Sequence, residues 1–105
     1  MIDAIVWKDE EMVKFIIKKN AFRGLNYNDK DGNTPLHIAA CFGDYNIVRT
    51  ILDNGANLDR KNNDGNTPLH LAQIFKQTYI VDLLIEWGAN QWIKNSIGKL
   101  AWELG

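Results

Sequence analysis

A ten-residue segment occurs twice in this chain of 105 residues and constrains the fold more than any other feature. Residues 31–40 read Asp-Gly-Asn-Thr-Pro-Leu-His-Ile-Ala-Ala, and residues 64–73 read Asp-Gly-Asn-Thr-Pro-Leu-His-Leu-Ala-Gln. The copies lie 33 residues apart and are identical at eight of their ten positions. Two copies at such a spacing indicate a repeated structural unit, and the units must pack on one another because one alone is too small to bury a sizeable apolar face.

The order of residue types predicts a turn followed by a helix. Gly32 and Gly65 each follow an aspartate, and we expect both to adopt the positive φ that glycine tolerates without a Cβ clash. The next Thr-Pro pair supplies a capping hydroxyl before a residue whose missing N–H is harmless at a helix start. Helices are therefore predicted to begin at Pro35 and Pro68.

His37 and His70 occupy the same position in the two copies, two residues after the proline. A ring that donates a hydrogen bond to turn backbone in its own or the adjoining unit would explain this repetition. Metal binding or catalysis is the alternative, but no acidic or sulfur ligand recurs at a matching spacing. We therefore predict a structural role for both histidines, with no metal, no cofactor and no catalytic residue.

The unit continues beyond the repeated segment. The pattern predicts a first helix over 35–42, a second helix over about 45–53 and a left-handed helix cap at Gly55. In the next unit Lys76 replaces Gly43, the glycine of the loop between the two helices. If this position has positive φ, the replacement costs of order 1 kcal/mol.

These features together resemble the ankyrin repeat. The resemblance rests on the turn, the Thr-Pro-Leu-His segment, an alanine-bearing first helix, an apolar second helix and the Gly-Ala-Asn exit, on a 33-residue period over residues 28–95. It implies an all-α fold, an ankyrin repeat solenoid of stacked helix-turn-helix units with projecting β-turn fingers. It also implies binding to other proteins and no catalysis.

The chain is predicted to form a single ankyrin repeat domain over 1–105. Its parts are an N-terminal capping repeat (1–27), two full repeats (28–60 and 61–93) and a truncated C-terminal cap (94–105). In the last part Leu100, Trp102 and Leu104 have no second helix behind them in this sequence. This edge is interpreted either as an economical cap or as a surface completed by a partner or a second copy.

The resemblance also implies where a partner binds, because the concave groove in this family is lined by the finger tips and by two positions at the end of each first helix. The predicted helix positions are Val6, Trp7, Cys41, Phe42, Ile74 and Phe75. The predicted finger positions are Lys30, Asp31, Asn33, Asn63, Asp64 and Asn66, and Asn28, Lys61, Ser96, Ile97 and Lys99 fall at equivalent places. Trp92 and Trp102 are predicted to form a second patch toward the C-terminal end, together with Trp87.

Trp7, Phe42 and Phe75 fall at one register in successive units. One interpretation is that they fold inward between units and belong to the core, as aromatic side chains at helical spacing usually do. The other is that they form an exposed apolar row of the kind that marks an interaction site. The sequence leaves both interpretations open.

Composition narrows the classes of partner. The net charge of −1 lacks the basic excess that phosphate binding requires, so no nucleic acid is predicted. No run approaches the 18 or so apolar residues of a membrane span, so no membrane association is predicted. Cys41 is the only cysteine, which excludes an intrachain disulfide and fits a reducing compartment. With Asp3 in place of a basic signal start, a cytoplasmic location is expected, and export without a classical signal stays open.

The sequence thus predicts a non-catalytic protein-protein interaction module of unidentified partner, with an inhibitor or immunity-type partner as one form. An enzyme would need a nucleophile with a base, a paired carboxylate or a phosphate-binding glycine loop, and none is found. Asp31 and Asp64 come nearest, but their repetition with glycine makes them turn formers. The alternative is a structural protein that self-associates through its C-terminal edge, so the expected state is a monomer or a weak homo-oligomer.

Overall fold

The computed structural model describes residues 29–104, which form two helix-turn-helix units and a short 3-10 helix. The elements are α1 (Pro35–Phe42), α2 (Tyr45–Asp53), α3 (Pro68–Ile74), α4 (Thr78–Glu86) and the 3-10 helix Ala101–Glu103. No residue in this range belongs to a strand. The predicted all-α solenoid is confirmed. The predicted N-terminal repeat, with Val6 and Trp7, lies outside the described residues, as does the predicted finger residue Asn28.

The first helix of each unit begins at the predicted proline because the preceding threonine caps it. The Thr34 hydroxyl oxygen accepts the backbone N–H of His37 at 3.3 Å, and Thr67 makes the same bond to His70. Each imidazole in turn accepts the backbone N–H of its threonine through Nδ1 at 3.1 Å. This reciprocal pair satisfies donors that a helix start otherwise leaves without partners.

The same histidines tie each unit to the next finger. His37 donates from Nε2 to the backbone carbonyl of Asn66 at 2.8 Å, and His70 donates to the carbonyl of Lys99 at 3.0 Å. Nδ1 is the acceptor in both rings, so the proton sits on Nε2. The predicted structural role of the histidines is confirmed, with the bond made to the adjoining unit.

Three closed turns form the fingers, which are residues 29–33, 62–66 and 95–99. In each turn the first backbone N–H donates to the carbonyl of the last residue at 2.9–3.0 Å. Gly32 and Gly65 have φ values of 79° and 74°, as predicted, and Gly55 has the predicted left-handed φ of 85°. A Cβ at Gly65 would lie 2.7 Å from the backbone nitrogen of Ser96, so the next finger also requires glycine there.

The loop between the two helices of a unit differs between the units. Gly43 ends α1 with a φ of 72°, and its N–H donates to the carbonyl of Ala39. Lys76 holds the equivalent place in the next unit with a φ of 57°. It is the one residue other than glycine with positive φ among residues 29–104. The positive φ considered for this position from the sequence is therefore present.

The core is shared between the units, since α1 packs on α3, and α2 packs on α4. Alanines at three positions, Ala39, Ala40 and Ala72, are fully buried where the helices come close. Around them lie the large apolar side chains of Leu36, Ile47, Val48, Ile51, Leu69, Ile80 and Leu84. Fully burying each of these large side chains contributes about 1.5–3 kcal/mol, so the short helices are stable only as a stack.

Candidate protein-binding groove

Four side chains of the predicted site lie at the ends of α1 and α3, and we call them the groove residues: Cys41, Phe42, Ile74 and Phe75. Phe42 is 43% exposed and Phe75 is 54% exposed, while Ile74 is exposed and Cys41 is half-buried. The preceding residues on the same helices, such as Leu36 and Leu69, are buried in the core. Of the two interpretations of the aromatic row, the exposed one therefore holds for Phe42 and Phe75.

Cys41 is the least accessible of the groove residues. Burial raises the pKa of its thiol to about 11, so the thiol stays protonated at neutral pH and is a poor nucleophile. Its backbone carbonyl accepts a hydrogen bond from Nε2 of Gln77 at 3.1 Å. Cys41 therefore contributes small apolar volume and a fixed backbone.

Gln77 was missed by sequence reasoning, although it ties the two units together beside the groove. It is the N-terminal cap residue of α4, and its side chain reaches back across the loop glycine to the end of α1. A Cβ at Gly43 would lie only 2.3 Å from the Gln77 side chain, so the contact requires glycine. No repeat of this pairing exists in the sequence, and no signal there could have identified it.

The finger residues divide into exposed and internal sets. Lys30, Asp31, Asn63 and Asp64 are exposed, and their place in a binding site stays a prediction. Asn63 also fixes the spacing of the fingers. Its backbone N–H donates to the backbone carbonyl of Asp31 at 3.0 Å, and its side-chain Nδ2 donates to the backbone carbonyl of Lys30 at 2.9 Å.

Asn66 was predicted to face a partner, but the structure places it inside the domain with only 8% of its surface exposed. Its side-chain oxygen accepts a hydrogen bond from Nδ2 of Asn95 at 2.9 Å. Asn33, which is half-buried, accepts in the same way from Asn62 at 2.8 Å. We call these four residues the asparagine ladder. Their amides link one finger to the next, so the side-chain oxygen of Asn66 is used within the domain and little of the residue is exposed to a partner.

The predicted C-terminal patch is brought together in part. The rings of Trp92 and Trp102 meet edge to face, with centroids 5.0 Å apart and planes at 87°, and both are exposed. Trp87 lies apart from them, where it lines a separate groove of about 440 Å³ on the outer helices with Tyr45 and Arg49. The patch near the C-terminal end is therefore a pair of tryptophans.

The described residues 29–104 also bear on metal binding and on membrane association. Within this range no three His, Cys, Asp or Glu side chains are grouped so that they could hold a metal ion. The range also contains no helix that is both long and apolar enough to cross a membrane. Both histidine rings are already engaged by Thr and backbone partners, which accounts for their burial.

Comparison with known proteins agrees with the fold. The profile of the family described as ankyrin repeats (3 copies) matches residues 1–95. The serine/threonine-protein kinase TNNI3K of Mus musculus and that of Rattus norvegicus are each 38% identical over 52 residues, 50% of this chain and 6% of the kinase. The putative ankyrin repeat protein L371 of Acanthamoeba polyphaga mimivirus is 43% identical over 54 residues, 51% of this chain and 7% of that protein.

The chain thus spans less than a tenth of the length of these relatives. The matched part of the kinase covers too little of it to carry a catalytic activity over to this chain. Ankyrin repeats are generally protein-protein interaction modules and are typically not catalytic. With the profile covering nearly all of the sequence and the repeated helix pairs in place, the chain belongs to the ankyrin repeat family.

Proposed function

We propose that this chain is a non-catalytic module that binds a protein partner through its groove residues. The observation that carries the proposal is the exposure of Phe42 and Phe75 at equivalent positions of two successive units. Neither ring contributes to the buried core, so their repetition has no structural explanation there. Two aromatic side chains at one face form the kind of apolar surface that marks an interaction site.

The surroundings of the two rings suit binding. Helices α1 and α3 are held by the shared core and by the histidine bonds, so the rings are presented on a rigid support with little ordering cost. Burying a side chain of this size in a partner contributes about 1.5–3 kcal/mol. The polar finger residues are exposed and would form the rim of such a contact. An inhibitor or an immunity-type partner is one form that this module can take.

The test compares bait variants in a capture experiment from a native extract, with the captured proteins quantified by mass spectrometry. We expect Phe42→Ala and Phe75→Ala each to weaken capture of the partner at least about tenfold. The matched control is Tyr79→Ala, which removes an aromatic ring that is 81% exposed on α4, and it should capture the partner like the original chain.

Stability must be measured on the same variants. Because the rings are about half exposed, their removal should cost well under the 3–5 kcal/mol typical of a buried Phe→Ala change. If both variants keep full affinity while the thermal midpoint collapses, the rings serve the fold and the groove proposal is wrong.

The tryptophan pair favours self-association as a second candidate. Trp102 occupies the place that Leu36 and Leu69 hold in the preceding units, yet it is exposed where those leucines are buried. Light scattering coupled to size exclusion should then show a mass that grows with concentration, and Trp92→Ala should abolish the growth. A constant monomer mass would exclude this candidate.

A further inference from the structure

We infer that the groove takes a protein segment that is both apolar and acidic. This inference rests on the proposed function and adds the chemistry of the partner. It follows from the distribution of charged side chains, which are segregated by face although the whole chain carries a net charge of only −1.

Positive charge gathers at the second and third fingers. Each of these fingers, together with the residue that precedes it, forms one of the segments 61–66 and 94–99. Together they carry three lysines, Lys61, Lys94 and Lys99, and one carboxylate, that of Asp64. All three lysines are exposed, and none of them forms an ion pair with another residue of 29–104. The first finger differs, because there Lys30 stands between two aspartates.

The position of these lysines is fixed by backbone bonds. Lys99 is anchored at the first turn of α3, because its carbonyl accepts the bond from His70. The third finger is joined to the second by the bond from the N–H of Ser96 to the carbonyl of Asp64 at 3.0 Å. The lysines therefore lie on two joined fingers, beside the start of the helix whose other end presents Ile74 and Phe75.

The outer helices carry the opposite charge. The outer helices α2 and α4 with their cap residues, 44–53 and 77–86, contain one cation and four carboxylates. The cation is Arg49, and the carboxylates are Asp44, Asp53, Asp82 and Glu86. An acidic segment is thus repelled by the outer helices and attracted to the fingers, which gives it an orientation as well as a site.

Exposed apolar side chains lie on the third finger and at the far end of α3. Phe75 and Ile74 are exposed at the end of α3, and Ile97 is exposed at the tip of the third finger. A complementary segment places its own apolar side chains against these residues and its Asp or Glu side chains against the lysines. A phosphate backbone fits less well, because it would meet the exposed carboxylate of Asp64 and the apolar side chain of Ile97.

The experiment uses a phage-displayed library of random short peptides, selected on the full chain. The selected peptides are synthesised, and their affinity is measured by fluorescence anisotropy. We expect them to be enriched in Asp and Glu next to aromatic or aliphatic residues, and to bind Phe75→Ala more weakly. Replacing their carboxylates with amides should weaken binding as well.

The lysines are tested by charge reversal. An exposed ion pair changes affinity by about 1.5- to 5-fold, and each reversal replaces an attraction with a repulsion of similar size. Lys61→Glu and Lys94→Glu together should therefore weaken the peptides about fivefold or more at low ionic strength. The difference should shrink at high salt, because the Debye length falls from about 30 Å at 0.01 M to about 3 Å at 1 M. Arg49→Glu makes a change of the same kind on the outer face and should have no such effect.

The remaining outcomes each overturn a defined statement. Peptides that depend on Phe75 but are not acidic, and that ignore the charge reversal, would refute the acidic partner and leave the proposed function standing. If no selected peptide depends on Phe42 or Phe75, the proposed function falls and this inference falls with it. The inference is also overturned if a single-stranded DNA oligonucleotide binds more tightly than the peptides. It is equally overturned if the reversal alters self-association in light scattering and leaves peptide affinity unchanged.

Discussion

Replacing Lys76 with glycine should stabilise this protein. Lys76 has a φ of 57°, in the left-handed region where a side chain with a Cβ costs about 1–2 kcal/mol. Glycine removes that cost, but the unfolded chain gains freedom worth about 0.4–1 kcal/mol. The expected net gain is therefore about 0–1.6 kcal/mol, with a central value of about 0.8 kcal/mol. Lys76 is exposed, and its backbone bond to the carbonyl of Gln73 at 3.1 Å can be kept.

Two matched variants isolate the backbone effect. Lys76→Ala removes the long side chain but keeps the Cβ, so the free energy of unfolding should stay within about 0.5 kcal/mol of the original. Gly43→Ala makes the opposite change at the equivalent loop, where φ is 72° and the new Cβ would meet Gln77. The backbone strain should lower the free energy of unfolding by about 1–2 kcal/mol. Loss of the hydrogen bond from Gln77 to the Cys41 carbonyl would lower it by about 0.5–1.5 kcal/mol more.

The assay is urea unfolding followed by far-ultraviolet circular dichroism, with the denaturant slope compared among variants. An unchanged slope means that a shift of midpoint reports stability alone. A gain of 1 kcal/mol also corresponds to a rise of about 4–8 °C in the thermal midpoint of a domain of this size. If Lys76→Gly is less stable than the original, or no better than Lys76→Ala, the left-handed strain at this residue is refuted.

Two further predictions concern the bonds between units. Asn62→Asp keeps the acceptor bonds within its finger but places a carboxylate against the Asn33 side-chain oxygen. Thermal unfolding should show that the free energy of unfolding drops by about 1–3 kcal/mol. The matched control is Asn57→Asp, which should show no loss, because Asn57 is exposed and its side chain only accepts a hydrogen bond. Burial lowers the pKa of His37 below its usual 6.5, so the unfolded chain binds the proton at a higher pH than the folded chain does. The free energy of unfolding should therefore decrease as the pH drops from about 6.5, by at most about 1.4 kcal/mol per pH unit. Urea titrations from pH 7 to about pH 5 check this, and a profile equal to that of His37→Gln would contradict it.

Sequence reasoning reached the helices because their signals are local. The predicted bounds of α1 and α2 agree with the structure, since a threonine cap, a proline and a left-handed glycine act within a few residues of each helix end. The histidine bonds were also reachable, because identical segments imply identical local geometry. What the sequence left open was whether the ring donates within its own unit or to the next one.

The groove was less accessible to sequence reasoning, because helical periodicity gives the direction of a side chain and not what covers it. Phe42 and Phe75 could have been core residues, and only the packing of α1 on α3 shows that they are not. Asn66 was misjudged by its alignment with the finger positions. The sequence did contain a signal that these asparagines pair with each other. Asn33 and Asn62 are 29 residues apart, as are Asn66 and Asn95, and both histidine bonds span the same distance along the chain.

The spacing of 29 residues marks structural contacts in this fold. Hydrogen-bonded residues 29 positions apart are of two kinds. The asparagine pairs join the end of one finger to the start of the next, and the histidines join a helix to the next finger, so these side chains are bonded within the domain. Positions 33 residues apart are equivalent places in successive units, and where they face the groove, as Phe42 and Phe75 do, no buried partner restricts them. Substitutions at such places can therefore alter affinity while the shared core keeps the units together, which is why the groove variants must be judged by binding and stability side by side.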